Sequence, residues 1–262
     1  MKKLLGSIAG LALLTGTAVA ADLAPAPAPA YKMPVAAPAP TANWTGCNLN
    51  LGYGYGLWNQ DQFQETDPGH VAVTSSATTG GRGWLGRGGV GCDYQFSVNG
   101  LGNWVVGAFG DYDFMNVHGN LEPAGPVAGV TEAGNEKETG EWYVGGRIGY
   151  LVTPSLLSYF DGGWTETRFN QVNFNNVTTG VPNGLMQAHT YHGWFLGGGL
   201  EYALNFSWLP IHGLFWRNEY RYASFDAADL SLLTLAGAPT GSALNVKPYN
   251  QTLTSSLIWR FP

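Results

Sequence analysis

The chain has 262 residues, of which only 11% are charged and 13% are aromatic, including ten tryptophans. Charged residues make up about 25% of an ordinary soluble protein, so this composition argues against a soluble domain and favours a protein that faces lipid. The formal net charge of −6 argues against nucleic acid as a partner.

Residues 1–20 have the three parts of an export signal: two lysines, an apolar run at 4–14, and the small residues Ala18-Val19-Ala20. We predict cleavage after Ala20. The alternative is a buried N-terminal helix. Because the segment carries two lysines and no acidic residue, its removal takes the net charge from −6 to −8. The apolar run is too short for a spanning helix, and none follows. Export then leaves a secreted protein, a periplasmic protein or an outer-membrane β-barrel.

Residues 21–43 are rich in alanine and proline, a composition that favours extended polyproline II and cannot form a core. We interpret this segment as a periplasmic linker, with a specific cell-wall contact as the alternative. Residues 44–262 are predicted to form the folded domain.

From residue 45 onward, apolar residues recur with a period of two, which indicates β-strands with one apolar face. Eight strands are predicted, at 45–57, 84–96, 104–115, 140–151, 156–168, 191–204, 210–225 and 248–261. Long polar segments (59–82, 116–139, 169–190 and 226–247) alternate with short ones (97–102, 152–155 and 205–209). This predicts an all-β fold, an eight-stranded antiparallel up-and-down transmembrane β-barrel whose long loops face outside.

The charged residues of these strands fall on the face opposite the aromatic residues. A charge that faces the middle of a bilayer costs about 2–4 kcal/mol, so this face should point into the barrel. A soluble barrel such as a lipocalin predicts the reverse. The predicted lumen charge network consists of Arg87, Asp93, Asp111, Asp113, Glu141, Arg147, Asp161, Glu201, Arg217, Glu219, Arg221 and Arg260.

Tryptophan and tyrosine concentrate near the strand ends, as in the aromatic girdles at membrane interfaces. The girdle positions are Trp44, Tyr55, Trp84, Trp104, Tyr150, Trp208, Tyr222 and Trp259.

The two cysteines, Cys47 and Cys92, are too far apart in sequence for a redox or zinc motif. If Leu57 pairs near Trp84, they lie one two-residue step from being direct neighbours on adjacent strands. In an oxidising periplasm this predicts a disulfide, with two free cysteines as the alternative.

Several stretches resemble a known family: "NWTGCNLNLGYGYG" (43–56), "GCDYQF" (91–96) and "GWFLGGGLEYAL…EYRYASF" (193–225). They are similar to the small outer-membrane β-barrel family of alphaproteobacteria, which is related to the opacity-type and OmpA-like eight-stranded barrels. The resemblance implies a location in the cell outer membrane of a Gram-negative cell. It also implies that the terminal aromatic Phe261 is the signal for the barrel-assembly machinery, although Pro262 follows it.

The string G-R-G-W-L-G (Gly81, Gly83, Gly86) matches a dinucleotide fingerprint, but it lies inside a predicted strand rather than before a helix. The five histidines, His70, His118, His189, His192 and His212, form no recognisable catalytic motif. We therefore predict a non-enzymatic protein without a cofactor, with a structural, envelope-integrity and surface-interaction role. Its expected partners are outer-membrane lipid and lipopolysaccharide, while the ligand of the loops stays open. The alternatives are a narrow porin-like channel for small solutes and an outer-membrane lipid-modifying enzyme.

Overall fold

The computed structural model describes residues 42–121, 132–206 and 212–261. The predicted signal peptide, most of the predicted linker, Trp208 and Pro262 lie outside these residues, so what was expected of them stays a prediction.

The described residues form eleven β-strands. Their bounds are β1 Gly46–Thr66, β2 Ala77–Val98, β3 Gly102–Leu121, β4 Glu132–Thr153, β5 Leu156–Phe169, β6 Val172–Asn176, β7 Pro182–Met186, β8 His189–Leu204, β9 Leu214–Phe225, β10 Ala228–Leu233 and β11 Pro239–Phe261. Across the described ranges, no helix is long and apolar enough to cross a membrane.

Eight of these strands close a ring in the order β1-β2-β3-β4-β5-β8-β9-β11, and β11 pairs back onto β1. Every pairing is antiparallel. The eight-stranded antiparallel barrel expected from the sequence is therefore confirmed. Each of its strands overlaps one of the predicted segments.

The predicted long loops are wrong in extent, because the barrel continues through most of them. β6 follows β5 after a two-residue break, β8 follows β7, and β10 follows β9. The short strands pair in the order β4-β6-β7-β10-β11, so a ring of eight also closes beyond the end of β5, β8 and β9. We call this part the extracellular extension, after the side on which the sequence predicts the long loops to lie.

The alternation of side chains reverses in the extracellular extension. There most inward positions are apolar, although Gln60, Gln62 and Glu136 are buried as well, and the outward positions are mostly polar, as expected where the outside is water rather than lipid. The inward residues form an upper apolar cluster that includes Trp58, Leu85, Met115, Val117, Leu121, Phe169, Val172, Phe174, Met186, Leu230, Leu232, Leu244 and Val246. A search of the sequence for strands with an apolar outward face therefore misses these strands.

A second, lower apolar cluster fills the opposite end of the barrel. It consists of Trp44, Val105, Leu151, Leu157, Tyr159, Ala203, Phe215 and Ile258. Trp44 was expected in the aromatic girdle, but its side chain is fully buried, with its ring centroid 4.7 Å from that of Phe215. Trp44 Nε1 donates to the carbonyl of Pro154 at 3.2 Å, so this residue closes the lower end.

Glycines on the inward face make room for charged side chains. A Cβ at Gly89 would lie 1.9 Å from an oxygen of Asp111, and one at Gly107 would lie 2.1 Å from an oxygen of Asp93. Gly88 points outward, and a Cβ there would meet nothing within 4 Å. Gly89 therefore leaves the space that the carboxylate of Asp111 occupies.

Candidate functional site

The structure places all twelve residues of the predicted charge network inside the barrel, between the two apolar clusters. Each is at most 7% exposed. We call this set the charge layer. Its five arginines come from β2, β4, β9 and β11, and its acidic residues from β2, β3, β4, β5, β8 and β9.

The lower half of the charge layer is centred on Glu201 of β8. Its carboxylate accepts hydrogen bonds from Arg147 at 2.8 Å, Arg217 at 3.0 Å and Arg260 at 2.9 Å. Arg147 also donates two hydrogen bonds to Asp93, at 2.7 and 2.6 Å, and Arg260 donates one at 2.8 Å. Two carboxylates and three guanidinium groups thus form one connected cluster.

The upper half is built around Arg87 and Arg221. Arg87 donates two hydrogen bonds of 2.6 Å to Asp113 and contacts Glu219. Arg221 contacts Asp111 at 2.7 Å, Asp161 at 3.0 Å and Glu219 at 2.8 Å. Glu219 links the two arginines, so this cluster is also continuous. Within the described residues, every lumen arginine has at least one carboxylate partner.

Strand β1 joins the layer through amides. Asn48 Nδ2 donates to Asp93 at 3.1 Å, and Asn50 Nδ2 donates to Asp111 at 2.9 Å. With these two contacts, all eight strands of the ring contribute to the layer.

Glu141 is held differently from the other predicted acidic residues, because no arginine contacts it. It accepts hydrogen bonds from Thr165 at 2.8 Å and Asn250 at 2.8 Å. Asn250 also donates to Glu138, which accepts a hydrogen bond of 2.6 Å from Thr167. Glu138 was missed from the sequence because it lies beyond the predicted start of its strand.

Aromatic rings cover the guanidinium groups at both ends of the layer. Arg221 lies 4.7 Å from the ring centroids of Phe109 and Tyr143. Arg260 lies 4.4 Å from the ring of Phe215 and 5.3 Å from that of Trp44. Contacts of this kind stabilise a cation that is removed from water. Sequence reasoning placed aromatic residues outside and therefore missed these inward rings.

The disulfide joins Cys47 and Cys92, and these residues lie directly opposite each other on β1 and β2. The predicted register is off by two residues, because Trp84 pairs with Tyr55 rather than with Leu57.

A second group of polar side chains lies in the extracellular extension. The Nδ1 atom of His70, in the connection between β1 and β2, is 2.7 Å from Glu65 and 3.4 Å from Asp229. The hydrogen bond to Glu65 and its negative charge raise the pKa of His70 above its usual 6.5. Three possible metal-ligand atoms lie within 4.8 Å of one another here. When His70 is protonated, its positive charge lies between the carboxylates of Glu65 and Asp229 and holds them together. We therefore call this group the ion-pair clasp between β1 and β10.

The remaining predicted site residue, Phe261, is the last described residue of β11. It pairs with Cys47 on β1, and its side chain is 36% exposed on the outward face. Its ring centroid lies 5.6 Å from that of Trp259. The assembly role of Phe261 stays a prediction.

The family model for the outer membrane protein β-barrel domain matches residues 16–261. The chain belongs to this family. This outer-membrane β-barrel protein is 31% identical over 172 residues to the 31 kDa outer-membrane immunogenic protein of Brucella melitensis, and the match covers 64% of each chain. The same values hold for the protein of that name from Brucella suis. The match thus spans less than two thirds of the length of these relatives. The location in the outer membrane expected from the sequence is confirmed.

One solved structure supports the same fold. The outer membrane protein OprG from Pseudomonas aeruginosa matches 84% of this chain and 99% of its own, with a TM-score of 0.52 and 12% sequence identity. At this identity the likeness shows the fold alone. The outer membrane protease OmpT from Escherichia coli matches 82% of this chain and 97% of its own, with a TM-score of 0.42 and 10% identity.

Proposed function

We propose that this protein is a non-conducting, non-enzymatic barrel that reinforces the outer membrane and presents its extracellular extension for surface interactions. The observation that carries the proposal is the filled lumen. The charge layer is almost unexposed, and packed apolar clusters lie above and below it. An eight-stranded barrel has an interior just wide enough for side chains, and here side chains occupy it.

The porin alternative requires a water-filled path along the lumen. Such a path would separate Arg221 from three carboxylates and would open both apolar clusters. The lumen arginines do not favour conduction by themselves, since each pairs with at least one carboxylate. The enzyme alternative requires an activated nucleophile or base at the membrane boundary. His192 contacts Glu166 at 2.7 Å on the outer surface, and the other oxygen of Glu166 accepts from Trp142 at 2.9 Å. Among the described contacts, no serine, threonine or cysteine side chain is hydrogen-bonded to His192.

Single-channel conductance of the full chain in a planar lipid bilayer tests the proposal. We expect no steady conductance from the wild type. The Glu201→Gln and Arg147→Met variants serve to detect a gate in the charge layer. Circular dichroism first shows that each variant is folded. A steady wild-type conductance that either variant changes would establish the porin reading and overturn ours. Mass spectrometry of lipid A from cells with and without the protein tests the enzyme alternative: a mass difference that the purified protein reproduces would refute a non-enzymatic role.

The structural role is tested by deleting the gene and measuring the entry of a large hydrophobic dye into cells. We expect faster entry, restored to normal by the wild-type protein and by the Glu166→Gln variant, which leaves the lumen intact. Unchanged entry after deletion would contradict an envelope-integrity role.

The predicted assembly signal has its own test. If the assembly machinery recognises Phe261, then Phe261→Ala lowers the amount of folded protein in the outer membrane. Trp259→Ala is the matched control, because Trp259 is the preceding outward aromatic residue on β11. Equal amounts of the two variants would remove the special role of Phe261.

A further inference from the structure

The ion-pair clasp joins three segments of the extracellular extension through side chains that can each donate a lone pair to a metal ion. Glu65 lies near the end of β1, His70 lies in the connection from β1 to β2, and Asp229 lies on β10. The Nδ1 atom of His70 and one oxygen of each carboxylate lie within 4.8 Å of one another. One imidazole and two carboxylates are ligands that zinc accepts in proteins.

The two carboxylates are positioned by the sheet, on either side of β11. Glu65 lies directly opposite Ala243, and Asp229 lies directly opposite Asn245, two residues further along β11. Both strands are hydrogen-bonded to the same neighbour, so the barrel wall sets the distance between the two carboxylates. Ligands on strands are held more precisely than ligands on loops.

Hydrogen bonds orient the other parts of the clasp. Asn245 Nδ2 donates to Oδ1 of Asp229, so that Oδ2 of the same carboxylate faces His70. The backbone amide of His70 donates to the carbonyl of Thr66 at 3.0 Å, and the amide of Val71 donates to Oγ1 of Thr66 at 3.2 Å. Outer partners of this kind hold metal ligands in the orientation that binding requires.

The spacing of the ligand atoms is close to that of a zinc site. Two ligands about 2.0–2.1 Å from a tetrahedral ion lie roughly 3.4 Å apart. The Nδ1 atom of His70 is 3.4 Å from Asp229, which fits, and 2.7 Å from Glu65, which is about 0.7 Å too close. The side chain of Glu65 is 4% exposed and that of His70 is 63% exposed. The imidazole can therefore move outward by this distance while Glu65 stays in place.

The charge of the clasp also favours a cation. Among the described ion pairs, Glu65 and Asp229 each pair with His70 and with no lysine or arginine. The hydrogen bond and charge of Glu65, the charge of Asp229 and, more weakly, that of Asp67 raise the pKa of His70. When His70 is neutral, the negative charge of this group is therefore uncompensated.

We propose that the ion-pair clasp is also a binding site for a zinc ion, held by Nδ1 of His70 and by one oxygen each of Glu65 and Asp229. A fourth position stays open to water, because His70 and Asp229 are exposed. The proton and the ion compete for Nδ1, so zinc replaces the proton once the proton has left. Bound zinc fastens the β1–β2 connection to β10. The proposal makes no use of the lumen, so the conductance experiment and the one below fail independently.

Binding is measured by isothermal titration of the full chain in detergent micelles with zinc chloride, at a pH above the pKa of His70. We expect one zinc ion per wild-type chain. Loss of an outer partner alone weakens a metal site about 10- to 100-fold, so His70→Ala and Asp229→Ala, which remove a ligand, should each weaken binding at least roughly tenfold. Circular dichroism confirms that each variant is folded.

His118→Ala is the matched control, because His118 is another exposed histidine, and its ring contacts Asn116 rather than a carboxylate. This variant should bind zinc as the wild type does. Equal zinc affinities of His70→Ala and His118→Ala would overturn the proposal.

A second measurement shows where the ion binds. Elastase cleaves after small apolar residues, such as the exposed Val71 and Val73 of the β1–β2 connection. Zinc should slow this cleavage in the wild type and in His118→Ala but not in His70→Ala. Wild-type cleavage that saturating zinc leaves unchanged would place the ion elsewhere and overturn the proposal.

Calcium distinguishes a zinc site from a site made of carboxylates alone. Calcium takes oxygen ligands, so at the same concentration it should protect the connection of the wild type much less than zinc does. Equal protection by calcium in the wild type and in His70→Ala would show a site that does not use the histidine, and would overturn the assignment to zinc.

Discussion

Replacing Glu201 by glutamine should destabilise the barrel more than any outward substitution. Glu201 is fully buried and accepts hydrogen bonds from Arg147, Arg217 and Arg260. Among the described contacts, Glu201 is the sole ion-pair partner of Arg217, whereas the other two arginines also reach Asp93. Removing one partner of a buried ion pair costs about 3–5 kcal/mol, because the remaining charge stays buried without compensation. The three contacts share one carboxylate, so their losses do not add.

We therefore expect Glu201→Gln to lower the free energy of unfolding by about 3–5 kcal/mol, measured by urea titration in lipid vesicles with tryptophan fluorescence. Glu166→Gln, on the outer surface, is the control and should change it by less than about 1 kcal/mol. In the Arg217→Met background, Glu201→Gln should lower the free energy of unfolding by less, because Arg217 is no longer present as a buried cation without a partner. A Glu201→Gln variant within about 1 kcal/mol of wild type would refute the reasoning, because the charge layer would then not be held by this carboxylate.

Three further predictions follow from local geometry. Gly89→Ala should lower the free energy of unfolding by about 1–3 kcal/mol, because its Cβ would meet Asp111. Gly88→Ala, at the neighbouring outward position, should change it by less than about 0.5 kcal/mol. Equal effects of the two substitutions would contradict the packing argument. Cys47→Ser with Cys92→Ser should lower the free energy of unfolding by about 2–4 kcal/mol, and reduction of the wild type should lower it by the same amount; equal stability of oxidised and reduced wild type would contradict the disulfide. The ion-pair clasp stabilises the fold below pH 6.5 and should be lost as pH rises through the raised pKa of His70. Protease cleavage of its loop should increase over that range in the wild type and stay constant in His70→Ala.

The charge layer could be predicted from the sequence because one property, the face of the strand on which a residue lies, decides whether the residue belongs to it. In a membrane strand, the parity of a position fixes whether its side chain faces lipid, and a charge that faces lipid is costly. Glu201 and Arg217 are therefore placed inside without any knowledge of their partners. Their pairing could not be derived, since it depends on strand stagger. Turn positions alone fix the stagger between β1 and β2 only to within two residues, as the error in the predicted Cys47–Cys92 register shows.

The extracellular extension could not be predicted by the same rule, because the rule holds only in lipid. Val117 and Phe174 alternate with polar residues as strictly as the membrane segments do, but they point inward. A search for outward apolar faces therefore treated these residues as loops. Trp44 was misplaced for a related reason: an aromatic residue at a strand end suits the membrane interface and the mouth of the lumen equally well, and only its burial decides between them.

The pairing of charges inside the barrel bears on function. Every lumen arginine is matched by a carboxylate, so the layer is complete without a solute and needs nothing to pass through it. Two buried carboxylates that contact no arginine among the described residues, Glu138 and Glu141, are held instead by hydrogen bonds from Thr165, Thr167 and Asn250, so they too have partners without a solute.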